Sequence, residues 1–143
     1  MLKLPIGDIY MKNRSELREI IMRILYQINI LKGTKIDYDI KSIIDEQLEI
    51  ESEYVNNAVN YITENYESMS IIANKYLKDW TLDRLSKVDQ AILLLGIYEL
   101  TETKTPSIVS INEAIELSKK YSEEKVTKMI NGVLDNIYHS EDK

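Results

Sequence analysis

The chain has 143 residues, of which 44% are hydrophobic and 29% charged, with a net charge of −6 and no cysteine. That length suffices for one domain with its own core. The missing cysteines exclude disulfides, thiolate metal sites and cysteine nucleophiles, and point to a cytoplasmic protein. No apolar run approaches the ~20 residues of a membrane span, and Pro5, Gly7 and Asp8 interrupt the start where a signal peptide would be apolar.

Only four glycines and two prolines are present, which suits helices better than strands joined by tight turns. Leu17, Ile20, Ile21, Ile24, Leu25, Ile28 and Leu31 keep helical spacing. Asn13 or Ser15 can cap the start of this first helix and Gly33 can end it. Ile36, Ile40, Ile43, Ile44 and Leu48 predict a short second helix after Asp37. A third starts near Ser52, with Tyr54, Val55, Ala58, Val59 and Ile62 inward, and a fourth covers about 68–78. Trp80 is expected to anchor the connection that follows. Val88, Ala91, Ile92, Leu95 and Tyr98 form the next stripe, and Leu93 and Leu94 make this helix apolar nearly all round. Such a helix is central and buried on several sides. After Pro106, Ser110-Ile-Asn-Glu113 fits the capping box that opens a helix. Ser122 can cap the last helix. The fold class is therefore all-α: a single compact domain of about seven helices.

Chemistry is sparse. The one histidine, His139, sits near a chain end and reads as a solvated side chain beside a negative helix terminus. Bundle di-metal sites need paired Glu-x-x-His motifs, and the sequence has none. Glu99 and Glu113 lie on helices that can meet, but Glu113 is assigned to the capping box. No glycine-rich phosphate loop occurs, so no enzyme, no metal and no cofactor is predicted. Charge is unevenly spread: residues 1–23 carry five basic and three acidic groups, whereas 24–79 carry five basic and ten acidic. Lys12, Arg14 and Arg18 cluster where the first helix begins. They can form a solvated face or recruit phosphates together with the free N–H groups of the helix start.

Four blocks resemble the NusB family of transcription antitermination factors. They are RSELREI from Arg14, followed by Leu25-Tyr26-Gln27; WTLDRLSKVDQAILLLGIYEL from Trp80; Pro106 and then VSINEAIELSK from Val109; and KMINGVLD from Lys128. They span about Met11 to Ile137 in the family's order. The resemblance implies two small helical bundles packed together and a non-enzymatic role in transcription regulation, antitermination and termination. Implied partners are the boxA element of nascent rRNA, the small-subunit ribosomal protein NusE docking on central and C-terminal helices, and the RNA polymerase antitermination complex. Residues 1–10 then form an N-terminal extension and 11–143 the RNA-binding helical domain. The implied RNA-binding residues are Lys12, Arg14, Arg18, Lys125, Lys128, Met129 and Gly132. Replacing Arg14 and Arg18 with alanine is expected to remove RNA binding with little change in stability.

The sequence departs from the family pattern where Ser15 and Glu16 interrupt the basic block and where Met129 replaces an aromatic. An aromatic stacks on an unpaired base better than methionine does. These departures motivate the alternative of a helical protein-interaction module with weakened or lost RNA binding. Monomer and dimer both remain open. Asn131-Gly132 usually marks a turn, yet the apolar spacing continues through it. Gly132 is expected on the side of Lys125 and Lys128, either admitting a neighbouring helix or leaving a bare spot for a partner. Asn131 is expected to hydrogen-bond an adjacent element.

Overall fold

The computed structural model describes residues 12–143, so the proposed extension at 1–10 lies outside the described residues. The first helix, α1 (Arg14–Lys32), begins at Asn13, whose side chain accepts the Glu16 N–H at 2.8 Å. The Glu16 carboxylate in turn accepts the Asn13 N–H at 3.0 Å, closing a capping box. Glu16 therefore holds the helix start rather than merely diluting a basic run. Ile20, Ile21, Ile24, Leu25 and Ile28 are buried as the spacing requires, and Leu17 and Leu31 pack at the margin.

Asp39 caps α2 (Ile40–Gln47), which follows Asp37 as expected, by accepting the Ser42 N–H. Ile36 consequently lies outside the helix and is 63% exposed. Ser52 caps α3 (Glu53–Glu64) as expected. The next helix, α4 (Tyr66–Tyr76), begins two residues earlier than the sequence suggested. Trp80 does not anchor the connection; it is 43% exposed. Asp79, in the left-handed region at φ 64°, turns the chain there. Leu77, Leu82 and Leu85 fill the buried positions, with a short 3-10 turn at Leu82–Arg84 between them.

The central helix α5 (Lys87–Glu102) starts at Ser86, which accepts the Asp89 N–H. Every residue from Asp89 to Leu100 is buried. This helix packs against α1, α3, α4, α6 (Ser107–Tyr121) and α7 (Glu124–Tyr138), so it joins α1–α3 to α4–α7 as two small bundles. A helix with neighbours on all sides needs apolar residues on all sides, which is what Leu93 to Leu95 provide. The described residues are all-α, with seven α-helices and no strand.

The capping box expected at Ser110 is not formed. Pro106 precedes α6, which begins at Ser107, so Ser110 lies inside the helix. Its hydroxyl is buried and has no hydrogen-bond partner among the protein atoms. Proline fixed the start one turn earlier, as its locked φ favours at a helix entry. Loss of a cap would cost about 0.5–2 kcal/mol. Removing an unpartnered buried hydroxyl costs nothing or stabilises. Ser110→Ala is therefore expected to leave the urea midpoint unchanged or raise it, and a clear drop would restore the capping role.

Candidate nucleic-acid interface

The basic cluster of α1 divides into three different environments. Arg18 is 6% exposed. Its Nε and Nη2 donate to the two Glu99 oxygens of α5 at 2.5 and 3.1 Å, a bidentate pair. Its Nη1 donates to Glu113 of α6 at 3.2 Å, and the Ser15 hydroxyl donates to the same Glu113 oxygen at 2.6 Å. The Tyr54 hydroxyl completes the site by donating to Glu99 at 2.8 Å. Burial pulls the Arg18 pKa down, but the hydrogen bond to and charge of Glu99 outweigh it and the net direction is up. Burial and the Glu99 charge push the Tyr54 phenol up as well, so it stays a neutral donor. Arg18 thus locks α1 to α5 and α6 and is largely buried. Its donors face two buried or half-buried carboxylates, so an RNA contact of the kind the resemblance implies would compete with these ion pairs. The sequence separation of Glu99 and Glu113 from Arg18 hid that pairing.

Arg14 is exposed. Its guanidinium lies over the Tyr54 ring, 4.0 Å from the centroid, and forms no ion pair among the described residues. Lys12 is exposed but lines a groove with Leu17 and the 45–52 segment, where Asp45, Glu46, Glu49 and Glu51 also lie. That acidic wall offsets its charge for an anionic ligand.

On α7, Lys125, Lys128 and Gly132 stand at i, i+3 and i+7 and are all exposed, so they share one side of the helix. Lys128 lies 3.7 Å from Glu124, an exposed i, i+4 pair of little energetic weight. Met129 is half-buried and packs on the core, so it offers little surface for stacking. Asn131 is exposed and forms no side-chain hydrogen bond among the described residues, contrary to expectation. Glu123, not Ser122, precedes the helix. The Ser122 hydroxyl instead donates to Asp89 at the start of α5. His139 ends α7, exposed and beside Asp135.

The helix runs unbroken through Gly132, and a Cβ there would meet no atom within 4 Å. Close approach by another helix is thereby excluded as the reason for this glycine. Gly132→Ala is expected to raise stability by about 0.5–1 kcal/mol, the propensity gain with no clash. A matched fall in RNA or partner binding would mark the bare spot as a contact surface.

The two predicted groups sit on different helices with α6 between them. Lys120 of α6 donates to Glu19 of α1 at 2.8 Å, and the Tyr121 hydroxyl donates to the same carboxylate. These hydrogen bonds hold the Glu19 pKa below its ordinary value. Sequence reasoning missed a further residue, Lys104, in the α5–α6 connection. It lines a groove with Arg14, Tyr54 and Tyr98 and has no ion-pair partner among the described residues. No local pattern marks it; only the fold brings residues 14, 54, 98 and 104 together.

Among the described residues, no group of three or more His, Asp or Glu side chains is placed to hold a metal ion. No described helix is long and apolar enough to cross a membrane.

Comparison with known proteins agrees with this architecture. The transcription antitermination protein NusB of Methylacidiphilum infernorum is 40% identical over 134 residues, covering 89% of this chain and 91% of its own. The protein of the same description from Clostridium kluyveri is 40% identical over 153 residues, covering 90% and 97%. The solved structure of T. maritima NusB superposes with a TM-score of 0.81 at 31% identity, over 92% of this chain and 94% of that one. A chain from the crystal structure of antitermination factors NusB and NusE in complex with dsRNA matches with a TM-score of 0.73 at 29% identity, over 88% and 96%. The NusB family profile matches residues 15–139, nearly the whole described chain, and the protein belongs to the NusB family.

Proposed function

We propose that this protein is a non-catalytic transcription antitermination factor of the cytoplasm. It binds the boxA element of nascent rRNA together with NusE and supports rRNA synthesis by RNA polymerase. The observation that carries this reading is the likeness, over 88% of the chain, to a NusB crystallised with NusE and RNA. The exposed Arg14, Lys125 and Lys128 supply phosphate contacts without a buried partner to release. With so few free cations, affinity of the chain alone is modest, and the partner protein strengthens it.

Fluorescence anisotropy with boxA RNA and a scrambled control, with and without NusE, tests the reading. BoxA is expected to bind more tightly than the control, NusE to enhance the difference, and affinity to fall as salt rises. Equal binding of both RNAs under every condition overturns it. That outcome would favour a second reading, a protein-interaction module with weakened RNA binding. Its support is specific: Arg18 is paired with Glu99, and Met129 packs on the core.

A further inference from the structure

We propose that the groove between the start of α1, the first turns of α3 and the α5–α6 connection is a subsite for unpaired nucleotides of single-stranded RNA. An unpaired base lies against the Arg14 guanidinium, and the neighbouring phosphate lies at Lys104. The proposal deepens the RNA-binding reading above and rests on it.

The floor of this groove is set before any ligand arrives. Tyr54 is fixed by its hydroxyl bond to Glu99, and Arg14 is already seated on the Tyr54 ring. A seated guanidinium presents a flat cationic plane, one of the surfaces on which splayed RNA bases stack. Glu99 beneath the floor is matched by Arg18, so its charge does not oppose an incoming phosphate. Lys104 lines the same groove from the α5–α6 connection, exposed and without an ion-pair partner among the described residues. Two unmatched cations beside aromatic rings combine the electrostatic and stacking elements of single-strand recognition.

The groove is open and about 620 Å³ in volume, within the range of sites that take ligands the size of a nucleotide or two, roughly 300–1,000 Å³. Asn57 lines it and has no side-chain hydrogen bond among the described residues. Its amide offers both a donor and an acceptor for a base edge or a 2′-hydroxyl. Glu53, exposed at the start of α3, also lines the groove, and its carboxylate opposes an anionic ligand. An acidic peptide could also satisfy the two cations, but it would leave the flat Arg14–Tyr54 stack unused. That feature favours RNA.

The opposed charges allow a test in both directions. Labelled single-stranded boxA RNA is titrated by anisotropy against the wild type, Lys104→Glu, Glu53→Gln and the pair Lys125→Ala plus Lys128→Ala. Thermal unfolding is recorded for each. Lys104→Glu is expected to weaken binding about five- to tenfold, to reduce the slope of affinity on salt by about 1 and to leave unfolding unchanged. Glu53→Gln is expected to tighten binding about twofold. The same RNA annealed into a duplex should be insensitive to both, since paired bases cannot enter the groove.

Unchanged affinity in Lys104→Glu, with a loss in the α7 double variant, overturns the subsite while leaving the RNA-binding reading intact. No discrimination of boxA from a scrambled strand by the wild type removes that reading and the subsite with it. Unchanged RNA affinity with weaker capture of NusE by Lys104→Glu assigns the groove to a protein partner and likewise overturns the proposal.

Discussion

Arg18→Ala is expected to destabilise the protein by about 3–5 kcal/mol, the cost of leaving a buried charge without its partner. Glu99 is 1% exposed and Arg18 supplies two of its hydrogen bonds. Alanine would strand that carboxylate in the contact between α1, α3 and α5, and would leave Ser15 as the α1 donor to Glu113. For a domain of this size such a loss lowers Tm by roughly 10 °C or more. Arg18→Lys should recover only part, because an ammonium cannot span both Glu99 oxygens as the guanidinium fork does. Arg18→Met combined with Glu99→Leu should recover most of the stability, since both charges then leave together. Urea denaturation of the three variants checks this. An Arg18→Ala midpoint close to wild type would contradict it, and would return Arg18 to the ligand-binding face on which its sequence neighbourhood placed it. The same reasoning revises the double alanine variant of Arg14 and Arg18. Its loss of RNA binding could not be separated from loss of fold, so Arg14→Ala alone is the informative change.

Gly96→Val is expected to cost about 3 kcal/mol or more, and Gly96→Ala about 1–2 kcal/mol net. A Cβ at Gly96 would sit 2.9 Å from Leu134 Cδ1 of α7 and 3.3 Å from the Ala114 Cβ of α6. Leu134 is fully buried and Ala114 is a short side chain with no freedom to retreat. Alanine gains about 0.8–1.0 kcal/mol over glycine in a helix, so the clash must exceed that gain for the sign to hold. Leu134→Ala, made in the Gly96→Ala background, should open the space that the methyl needs. The double variant should then lose less than the sum of the singles, by about 0.5–3 kcal/mol for residues in contact. Additivity within about 0.5 kcal/mol would show that the two side chains do not compete for one space. Gly132→Ala, on α7, carries the opposite expected sign because nothing stands where its Cβ would go.

These two glycines show where sequence patterns stop. Both lie within runs of helical spacing, and the sequence draws attention to Gly132 because Asn131 precedes it. The glycine that the packing requires is Gly96, in an apolar stretch where Leu93 to Leu95 precede it and Ile97 and Tyr98 follow. Helical periodicity identifies that α5 is buried all round, but not which of its neighbours comes nearest. That depends on where α6 and α7 cross it.

The capping signals divide in the same manner. Asn13, Ser52 and Ser86 act as caps in the described helices, and two of these starts follow from local pattern alone. Ser110 and Ser122 have equally suitable side chains and do not cap. At the first, Pro106 starts the helix a turn earlier; at the second, Asp89 takes the hydroxyl. A local motif predicts an available bond, and tertiary competition decides whether it forms.

The sequence by itself determined the fold class, the apolar faces of α1 and α5, the family and the absence of thiol chemistry. The fold class, the apolar faces and the missing thiols depend on residue type and on spacing within about twenty residues. The family depends on the order of four such blocks along the chain, and the chain states all of these directly. Only the tertiary structure decided which cations are free. Arg14 and Arg18 are one helical turn apart and alike in sequence, yet one is stacked and exposed while the other is buried between Glu99 and Glu113. The difference arises from carboxylates some eighty to a hundred residues away. A charge is available to a ligand only when the fold brings no opposite charge to it, and that is a property of long-range contacts.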